Sequence, residues 1–305
     1  MSDDQGLLPA GVDSPAALQA LLDEHAYLAD IGLATACYLA LRLHRPLFLE
    51  GEAGVGKTEV GKTLAVLLDA PLLRLQCYEG LDASQALYDW DFPRQLLHLR
   101  AAEAAGAASD VAALEQSLYD RRFLIARPLL AALETTPCVL LIDEIDRADD
   151  EFEAFLLEVL SDFTVSIPEF GTVRATTPPV VVVTSNRTRE VHDALKRRCY
   201  YHWLGHPGFA REVAIVQRRQ PQASHRLVEQ VAAAVQALRG ADLLKPPGVA
   251  ETIDWTQALV ALGADGLDAE LATATLGSVL KYREDQERAQ TLDLGRFLRD
   301  TAGGS

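Results

Sequence analysis

Short apolar runs alternate with longer stretches of helical periodicity through the first 205 residues of the chain. This alternation predicts a parallel β-sheet covered by helices on both faces. We expect five strands, at Pro46–Glu50, Leu72–Cys77, Val139–Asp143, Val180–Thr184 and Tyr200–Trp203. Three of them end in polar residues, and open sheets of this class bind ligands beyond the carboxyl ends of their strands. The fold class is therefore α/β, with a candidate site at one edge of the sheet.

A change in composition marks a second domain. Turn-forming residues at Gly205–Gly208 close the last strand, and the rest of the sequence has a helical pattern. We predict an α/β domain over residues 1–205 and a helical domain over residues 206–305, since a chain of this length can bury one large core and a smaller one. Helices are expected at Lys57–Leu68, at the alanine-rich Ala101–Ala108 and at Trp255–Leu262.

The charge of the chain limits its partners. Its formal net charge is −16, which opposes binding to nucleic acid because phosphate contacts need a basic surface. The basic run Lys196-Arg197-Arg198 is too short to outweigh that field. We therefore expect no nucleic-acid partner.

The N-terminal residues, the lack of a long apolar run and the cysteines indicate the cellular compartment. Met1–Gly6 is acidic where a signal peptide needs basic residues, and no apolar run reaches membrane-spanning length. These features predict a cytoplasmic protein without a membrane span. The four cysteines are far apart among apolar neighbours, which predicts buried thiols: Cys37, Cys77, Cys138 and Cys199.

The strongest motif follows the first strand directly. Residues Gly51–Thr58 read GEAGVGKT and fit the phosphate-loop pattern G-x-x-x-x-G-K-S/T in full. Its glycines let backbone N–H groups converge on phosphate oxygens, and the start of the next helix adds partial positive charge. We predict ATP binding, with Lys57 at the β- and γ-phosphates and Thr58 as a Mg²⁺ ligand. The expected nucleotide-binding residues are Gly51, Glu52, Ala53, Gly54, Val55, Gly56, Lys57, Thr58 and Glu59.

Two acids follow the apolar strand Val139–Asp143. Mg²⁺ prefers oxygen ligands, and Asp143 stands at the carboxyl end of this strand, where it can hold a metal-bound water. Glu144 adjoins it and is a candidate general base for the attacking water. Two neighbouring acids can also be a solvated strand end, but the phosphate loop upstream favours the catalytic interpretation.

Asn186 ends another apolar run, Val180–Thr184, which can lie between the two strands just described. From there Asn186 would orient the attacking water against the γ-phosphate. Asparagine is also a common turn residue at strand ends. The residues alone leave both interpretations open.

Together these motifs resemble those of the AAA+ ATPases, and within them the MoxR family of ring-forming, chaperone-like ATPases. Gly51–Thr58 resembles Walker A, Asp143 and Glu144 resemble Walker B, and Asn186 resembles sensor 1, in the expected order. The similarity covers nearly the whole chain. It implies a P-loop core of five parallel strands, a C-terminal helical lid and a hexameric ring.

Arg197 and Arg198 fall where this family carries arginine fingers, which reach the nucleotide of the neighbouring subunit. An arginine supplied in this way is typically worth about 10³ to 10⁵ in rate. The alternative is a basic helix end that complements the helix dipole. The sequence does not distinguish the two arginines.

Residues Phe155–Leu160 and Thr164–Val173 resemble the helix-2 insert of the family, a hairpin near residues 161–178 that points toward the pore of the ring. Phe170 and Gly171 lie near its tip. An exposed aromatic side chain there would grip a client. A hairpin that only caps the core is the alternative.

Two further segments, Cys77–Asp82 and Ala86–Leu96, resemble the branch found beside aerobic carbon monoxide dehydrogenase operons. This resemblance implies a client that is a metalloenzyme, a molybdenum hydroxylase, and a partner protein with a von Willebrand factor A domain. Composition and periodicity show no client.

One position departs from the family pattern. The family usually places a sensor 2 arginine at the start of a lid helix, whereas Gly248–Trp255 contains no arginine. Either the role is missing or another residue serves it. The departure puts in doubt how lid closure is coupled to the γ-phosphate.

Four functions are compatible with these motifs. The leading hypothesis is an ATP-driven ring that remodels a protein client, and the second is an ATP-gated assembly factor with little turnover, which the missing arginine supports. A P-loop kinase for a small acceptor is disfavoured because Glu144 and Asn186 favour water as the nucleophile. A DNA-remodelling ATPase is disfavoured by the charge.

Overall fold

The computed structural model describes residues 7–104 and 111–291. The predictions for Met1–Gly6 and for the last part of Ala101–Ala108 fall outside these ranges. The strands of the described ranges are β1 (Leu47–Gly51), β2 (Leu72–Gln76), β3 (Tyr88–Trp90), β4 (Leu124–Ala126), β5 (Val139–Asp143), β6 (Thr164–Ile167), β7 (Gly171–Arg174), β8 (Val180–Ser185) and β9 (Tyr200–Leu204). The α-helices there are α1 (Pro15–Glu24), α2 (Ile31–Arg42), α3 (Lys57–Leu67), α4 (Ala83–Leu87), α5 (Phe92–Ala104), α6 (Val111–Ser117), α7 (Pro128–Glu134), α8 (Asp150–Asp162), α9 (Asp193–Arg198), α10 (Phe209–Arg219), α11 (His225–Arg239), α12 (Val249–Ala261), α13 (Ala269–Val279) and α14 (Arg283–Thr291).

The central sheet contains five strands in the order β2-β5-β8-β1-β9. The pairs β2–β5, β5–β8 and β8–β1 are parallel. All five predicted strands are confirmed, and their ends shift by one residue at most. β8 lies between β5 and β1, as expected from the sequence. Every residue of β5 is buried, which explains its continuous apolar run, since helices cover both faces of such a sheet.

The chain divides into two compact units. The sheet unit comprises Met1–Leu18, Ile31–Glu50 and Val60–His202, and the helical unit comprises Gln19–Asp30, Gly51–Glu59 and Trp203–Ser305. The phosphate-loop segment thus groups with the C-terminal helices. The domain boundary at residue 205 stays a prediction.

The core of the sheet unit is built by strand side chains and the helices packed on them. Leu140 and Val183 extend from β5 and β8, while Leu130 and Leu156 come from α7 and α8, and all four are buried. Burial of such a side chain stabilises the fold by roughly 1.5–3 kcal/mol. The core therefore fixes the strand ends that carry the polar residues.

The helical unit has a core of its own. Trp255 of α12 is fully buried, and its Nε1 donates to Thr275 Oγ1 at 2.7 Å, so the polar tip of the indole is satisfied. α11 presents a buried stripe that includes Leu227, Val231 and Val235, at the four-residue spacing of one helix face. The C-terminal region is helical up to residue 291, where the described residues end, as predicted.

The hairpin predicted after α8 is present. β6 and β7 pair antiparallel within residues 164–174. Phe170, between these strands, is half-buried and packs against the core of the sheet unit. It is therefore not the exposed aromatic side chain that a client-gripping tip requires. The contact favours the alternative interpretation, a hairpin that caps the core.

The helices of the two described ranges are short, and the longest, α11, has 15 residues. None of them combines the length and the apolar character that crossing a lipid bilayer requires.

Candidate functional site

The phosphate loop joins β1 to α3. Gly54 and Gly56 adopt positive φ angles of +74° and +95°, a conformation that glycine takes without steric cost. Lys57 Nζ donates to the carbonyl oxygens of Gly51 and Glu52, at 2.7 and 2.6 Å. The loop is thus folded around its own lysine, and its backbone conformation is typical of an anion-binding concavity.

The first turn of α3 carries the last two predicted nucleotide ligands, Thr58 and Glu59. Glu59 Oε1 lies 3.3 Å from Nη1 of Arg219, which belongs to α10. The carboxylate is therefore engaged by an arginine of the helical unit. Nucleotide contacts of Thr58 and Glu59 remain predictions.

Asp143 ends β5 with its side chain only 3% exposed. Thr184 Oγ1 donates to Asp143 Oδ1 at 2.5 Å, and the same hydroxyl accepts the backbone N–H of Glu144 at 3.0 Å. One threonine hydroxyl thus fixes the two neighbouring acids relative to β8. On the other side of Asp143, Arg74 donates to Oδ2 from Nη2 at 2.5 Å and from Nε at 3.1 Å.

Glu144 has a left-handed backbone conformation, with φ +57° and ψ +51°. Such values are uncommon for residues other than glycine and concentrate at functional sites. Its Oε1 accepts from Asn186 Nδ2 at 3.2 Å, while Oε2 accepts from Gln76 Nε2 at 3.1 Å and pairs with Arg147 Nε at 2.9 Å. The side chain is 30% exposed, so it is accessible to solvent.

Asn186 is held in place by Asp146, a buried acid of the same edge. Asp146 accepts the backbone N–H of Asn186 at 3.1 Å, and the backbone N–H and hydroxyl of Thr188 at 2.8 and 2.6 Å. Burial alone would raise the pKa of Asp146, but the hydrogen bonds from Thr188 and Asn186 outweigh it and lower the pKa. Asp146 therefore stays ionised and fixes the loop that presents Asn186 to Glu144.

The structure thus brings Asp143, Glu144 and Asn186 together at the carboxyl ends of β5 and β8. Sequence reasoning missed five residues that contact them, namely Arg74, Gln76, Thr184, Asp146 and Arg147. The sequence did contain a clue to Arg74 and Gln76. These two polar residues lie two positions apart in an otherwise apolar strand, which places their side chains on the same face of the sheet. Gln76 is also the partner of Asp143 in the β2–β5 register.

The two candidate finger arginines, at the end of α9, differ in their contacts. Arg198 Nη1 donates to the carbonyl oxygen of Leu157 at 3.0 Å. The Arg197 side chain is 82% exposed and lies 3.9 Å from Asp193. Arg45 donates to the carbonyl oxygens of both, at 2.8 Å to Arg197 and 3.2 Å to Arg198. The end of α9 is therefore capped by Arg45, and Arg197 extends into solvent.

The four cysteines are free and buried, as predicted. Burial raises the pKa of Cys77 to about 12, and the charge of Asp143 adds to the shift. Burial also raises the pKa of Cys138 to about 11 and that of Cys199 to about 12. Among residues 7–104 and 111–291, no group of three or more His, Cys, Asp or Glu side chains is arranged to hold a metal ion. The thiols of Cys77, Cys138 and Cys199 are therefore neutral packing groups.

A family model decides the assignment. The model of the AAA domain, dynein-related subfamily, matches residues 46–199. This match covers half of the chain and includes the phosphate loop, Asp143, Glu144, Asn186 and the end of α9. The chain belongs to the dynein-related AAA subfamily. This AAA protein is accordingly an ATPase that uses ATP with Mg²⁺, and members of the wider AAA+ class typically assemble as rings.

Other comparisons add only distant similarities. No protein with a curated description matches the chain. Among solved structures, the RuvB Holliday junction branch migration motor of Thermotoga maritima is 16% identical, with a TM-score of 0.46, over 85% of this chain and 68% of that chain. A single-residue mutant of that RuvB gives 15% identity and a TM-score of 0.49, over 90% of this chain and 72% of that chain. The family assignment rests on the sequence model rather than on these similarities.

The residues of this AAA ATPase suit ATP and Mg²⁺ chemically. The positive-φ glycines of the loop leave its amides free of Cβ groups, and Lys57 supplies a cation. Thr58 and Asp143 offer the hard oxygen atoms that Mg²⁺ prefers. Asp143 is already matched to a cation in this structure, since Arg74 neutralises its buried carboxylate.

Proposed function

We propose that this AAA ATPase couples ATP hydrolysis to the remodelling or maturation of a protein client, as a member of the MoxR branch. The observation that carries the proposal is the 3.2 Å hydrogen bond from Asn186 Nδ2 to Glu144 Oε1. It joins a carboxylate that can accept a proton to an amide that can orient water. A carboxylate and an amide placed together suit the activation of a water molecule, which is the nucleophile of hydrolysis.

In this proposal each residue has its own task. Thr58 and Asp143 are the proposed ligands of Mg²⁺, which would supply positive charge to the phosphate groups of ATP. Lys57 exchanges the carbonyl oxygens of Gly51 and Glu52 for phosphate oxygens. Glu144 accepts the proton of the attacking water, which Asn186 orients. The new P–O bond forms to this water as the bond to the bridging oxygen of ADP breaks.

The proposed assembly is a ring, hexameric by family expectation, in which Arg197 completes the site of the neighbouring subunit. Its 82% exposed side chain supports this assignment, because a finger must leave its own subunit. Arg198 donates to Leu157 O within the chain, which supports a role in fixing the end of α9. Of the two, we therefore assign the finger to Arg197.

The proposed client is a metalloenzyme such as a molybdenum hydroxylase, and the proposed partner carries a von Willebrand factor A domain. The resemblance of Cys77–Asp82 and Ala86–Leu96 to the carbon monoxide dehydrogenase branch supports both. The net charge of −16 supports a protein client over nucleic acid. A cytoplasmic location is part of the same proposal.

A second candidate function, an ATP-gated assembly factor with little turnover, is favoured by the contacts of Glu144. Both of its carboxylate oxygens are engaged, Oε1 by Asn186 and Oε2 by Gln76 and Arg147. A carboxylate oxygen accepts about two hydrogen bonds, so Oε2 is fully occupied and only Oε1 has room for a water molecule. With access restricted in this way, the protein would bind ATP and change shape but hydrolyse slowly.

One experiment separates these functions. ATP turnover is measured against protein concentration, with and without Mg²⁺, while light scattering follows the mass in the presence of nucleotide. For the ring ATPase, specific activity rises as a discrete oligomer forms. Flat activity in a monomer contradicts a shared site. Nucleotide binding without turnover supports the assembly factor.

The client is tested separately with Glu144→Gln, which is expected to hold ATP without hydrolysing it. The probe is a purified molybdenum hydroxylase apoprotein, mixed with the variant and ATP or ADP. ATP-dependent co-elution supports the proposed client, and equal elution with both nucleotides or with neither contradicts it.

A further inference from the structure

Within the helical unit, the phosphate loop and the start of α12 meet backbone to backbone. A Cβ atom added to Gly248, the N-cap of α12, would lie 2.7 Å from Ala53 O and 2.8 Å from Gly54 Cα. A Cβ added to Gly54 would lie 3.2 Å from Gly248 Cα. Real Cβ atoms essentially never approach other atoms within 3.0 Å, so no side chain fits at Gly248 unless the two backbones separate.

A hydrogen bond joins the same two segments. The backbone N–H of Ala250 donates to the carbonyl oxygen of Gly54 at 3.1 Å. Ala250 is the second residue of α12, and the first four N–H groups of a helix have no acceptor inside the helix. The phosphate loop thus supplies an acceptor that the helix cannot. Glu251 completes the cap, since its Oε2 accepts the Gly248 N–H at 2.9 Å.

A buried polar network anchors this end of α12 to two other helices. Thr252 Oγ1 donates to Glu212 Oε1 of α10 at 2.6 Å and contacts Gly248 O at 3.1 Å. Arg239 of α11 donates to both oxygens of Glu212, at 2.6 and 2.7 Å, and to Pro247 O at 2.7 Å. The Arg239 and Glu212 side chains are only 10% and 0% exposed. A shift at Gly248 therefore acts on α10 and α11 as well as on α12.

We infer that Gly248 and Ala250 are positioning residues of the phosphate loop, and that nucleotide binding reaches the C-terminal helices through their contact with Gly54. The contact occupies the segment in which the sequence lacks a sensor 2 arginine. The lid therefore senses the shape of the loop backbone, without a cationic side chain at this position. The inference rests on nucleotide binding by the loop and is independent of the client.

The Ala250 amide is a direct reporter, because its exchange with solvent depends on the bond to Gly54 O rather than on the helix. Hydrogen exchange at this amide is followed by NMR in the wild type, with and without AMP-PNP and Mg²⁺. Binding of the nucleotide is measured separately by titration. We expect the exchange rate at Ala250 to change on binding. Saturated nucleotide binding with an unchanged rate overturns the inference.

Gly248→Ala tests the same contact, and Gly208→Ala is its matched control. Gly208 is also an N-cap glycine with an extended backbone, at the start of α10, but an added Cβ there meets nothing within 4 Å. Both variants lose the same N-cap preference, so a difference between them reports the loop contact. We expect Gly248→Ala to weaken AMP-PNP binding by about 5- to 150-fold, the usual range for coupled sites, and to speed exchange at Ala250.

Gly208→Ala is expected to match the wild type in both measurements. Wild-type affinity in Gly248→Ala overturns the inference, as does an equal loss of affinity in the two variants. If Gly248→Ala does not fold, the wild-type exchange measurement decides alone, because it needs no substitution. A wild type that binds no nucleotide overturns the inference together with the ATPase assignment, whereas failure to bind a client leaves it standing.

Discussion

Arg74 and Asp143 form an ion pair across neighbouring strands, in which the guanidinium approaches Oδ2 from both Nη2, at 2.5 Å, and Nε, at 3.1 Å. The two side chains differ in burial, with Arg74 50% exposed and Asp143 3% exposed. Asp143 is the proposed Mg²⁺ ligand. A cation of the protein therefore compensates this carboxylate when no metal is bound, and it opposes the arrival of a second cation.

This pair predicts the behaviour of Arg74→Met. Without the guanidinium, the buried carboxylate loses this ion pair in the metal-free protein, so the melting temperature should fall. Mg²⁺ with AMP-PNP should restore part of this loss, because the metal then supplies the missing charge. The increase in melting temperature on adding Mg²⁺ and AMP-PNP should therefore be larger than in the wild type, and the Mg²⁺ concentration needed should be lower.

Arg121→Met is the control for this substitution. Arg121 has a similar exposure of 45% and pairs with Glu134, which is not among the proposed site residues. Its loss should lower the melting temperature without changing the response to Mg²⁺ and AMP-PNP. An Arg74→Met response that equals the wild-type response would show that Arg74 does not compete with the metal.

The proposed role of Glu144 predicts a separation of binding from chemistry. Glu144→Gln keeps the size of the side chain but removes the proton acceptor, so single-turnover hydrolysis should slow by about 10²- to 10⁴-fold. Affinity for ATP with Mg²⁺ should be unchanged. Glu151→Gln, at an exposed position of α8, should retain the wild-type rate. Equal rates for Glu144→Gln and the wild type would remove Glu144 from the mechanism.

If Arg197 is the arginine finger, ATPase activity should recover when two inactive variants are mixed in one assembly. Arg197→Ala alone should lose about 10³- to 10⁵-fold in turnover, with ATP binding retained. Mixed with Glu144→Gln, which is also inactive, it should regain activity, because one subunit supplies an intact base and the other an intact arginine. Turnover is measured across mixing ratios. A mixture as inactive as its components, although the two variants co-assemble, would contradict a finger acting between subunits.

Arg198→Ala is the neighbouring control for this experiment. Because Arg198 donates to Leu157 O in its own chain, its loss should lower the melting temperature and reduce turnover less than the loss of Arg197. If Arg198→Ala instead lost more turnover than Arg197→Ala, the finger would be assigned to Arg198.

Much of the sheet could be predicted from the sequence because parallel strands are buried on both faces. Val139–Asp143 is apolar up to its last residue, and that alone located both the strand and the acid at its end. The interpretation of Val180–Thr184 as a strand between β1 and β5 puts Asn186 at the same sheet edge as Glu144, because the carboxyl ends of parallel strands meet there. These inferences depend on local pattern and on a small set of allowed topologies.

The contacts around these acids could not be predicted in the same way. Arg74 lies within an apolar strand, and only the β2–β5 pairing shows that it faces Asp143. The Gly54–Gly248 contact joins segments far apart in the chain. Glycine is also a common N-cap residue, so the sequence offers a local reason for Gly248 and gives no sign of its contact with the phosphate loop. Phe170 was ambiguous because an aromatic residue at a hairpin tip suits either solvent or core.

Burial of the thiols predicts low reactivity. A pKa of about 12 at Cys77 and Cys199 leaves a thiolate fraction of about 10⁻⁴ at pH 8, and the thiolate is the reactive form. Native protein should therefore react with a disulfide reagent such as DTNB far more slowly than a free thiol. Denatured protein should react rapidly at four thiols per chain, which serves as the control. Rapid labelling of the native protein would show that one of these thiols opens to solvent.

His206 predicts how stability depends on pH. Its Nδ1 is buried and has no hydrogen-bond partner in residues 7–104 and 111–291. Burial lowers the pKa of His206, and the positive charge of Arg239 acts in the same direction, whereas Glu52, Glu212 and Glu251 partly oppose them. The folded protein therefore binds this proton less readily than the unfolded chain. Stability should fall as the pH drops below the unfolded value of about 6.5, because protons then favour the unfolded state.

The test compares the loss of melting temperature between pH 7.5 and pH 5.5 in the wild type and in His206→Gln. The variant cannot take up this proton, so its melting temperature should fall less over the same interval. His25→Gln changes an exposed histidine and should follow the wild type. Each variant removes one histidine, so a difference between their two curves reports on the position of His206 rather than on the loss of an imidazole. Parallel curves for all three would mean that His206 binds its proton equally well in the folded and unfolded states.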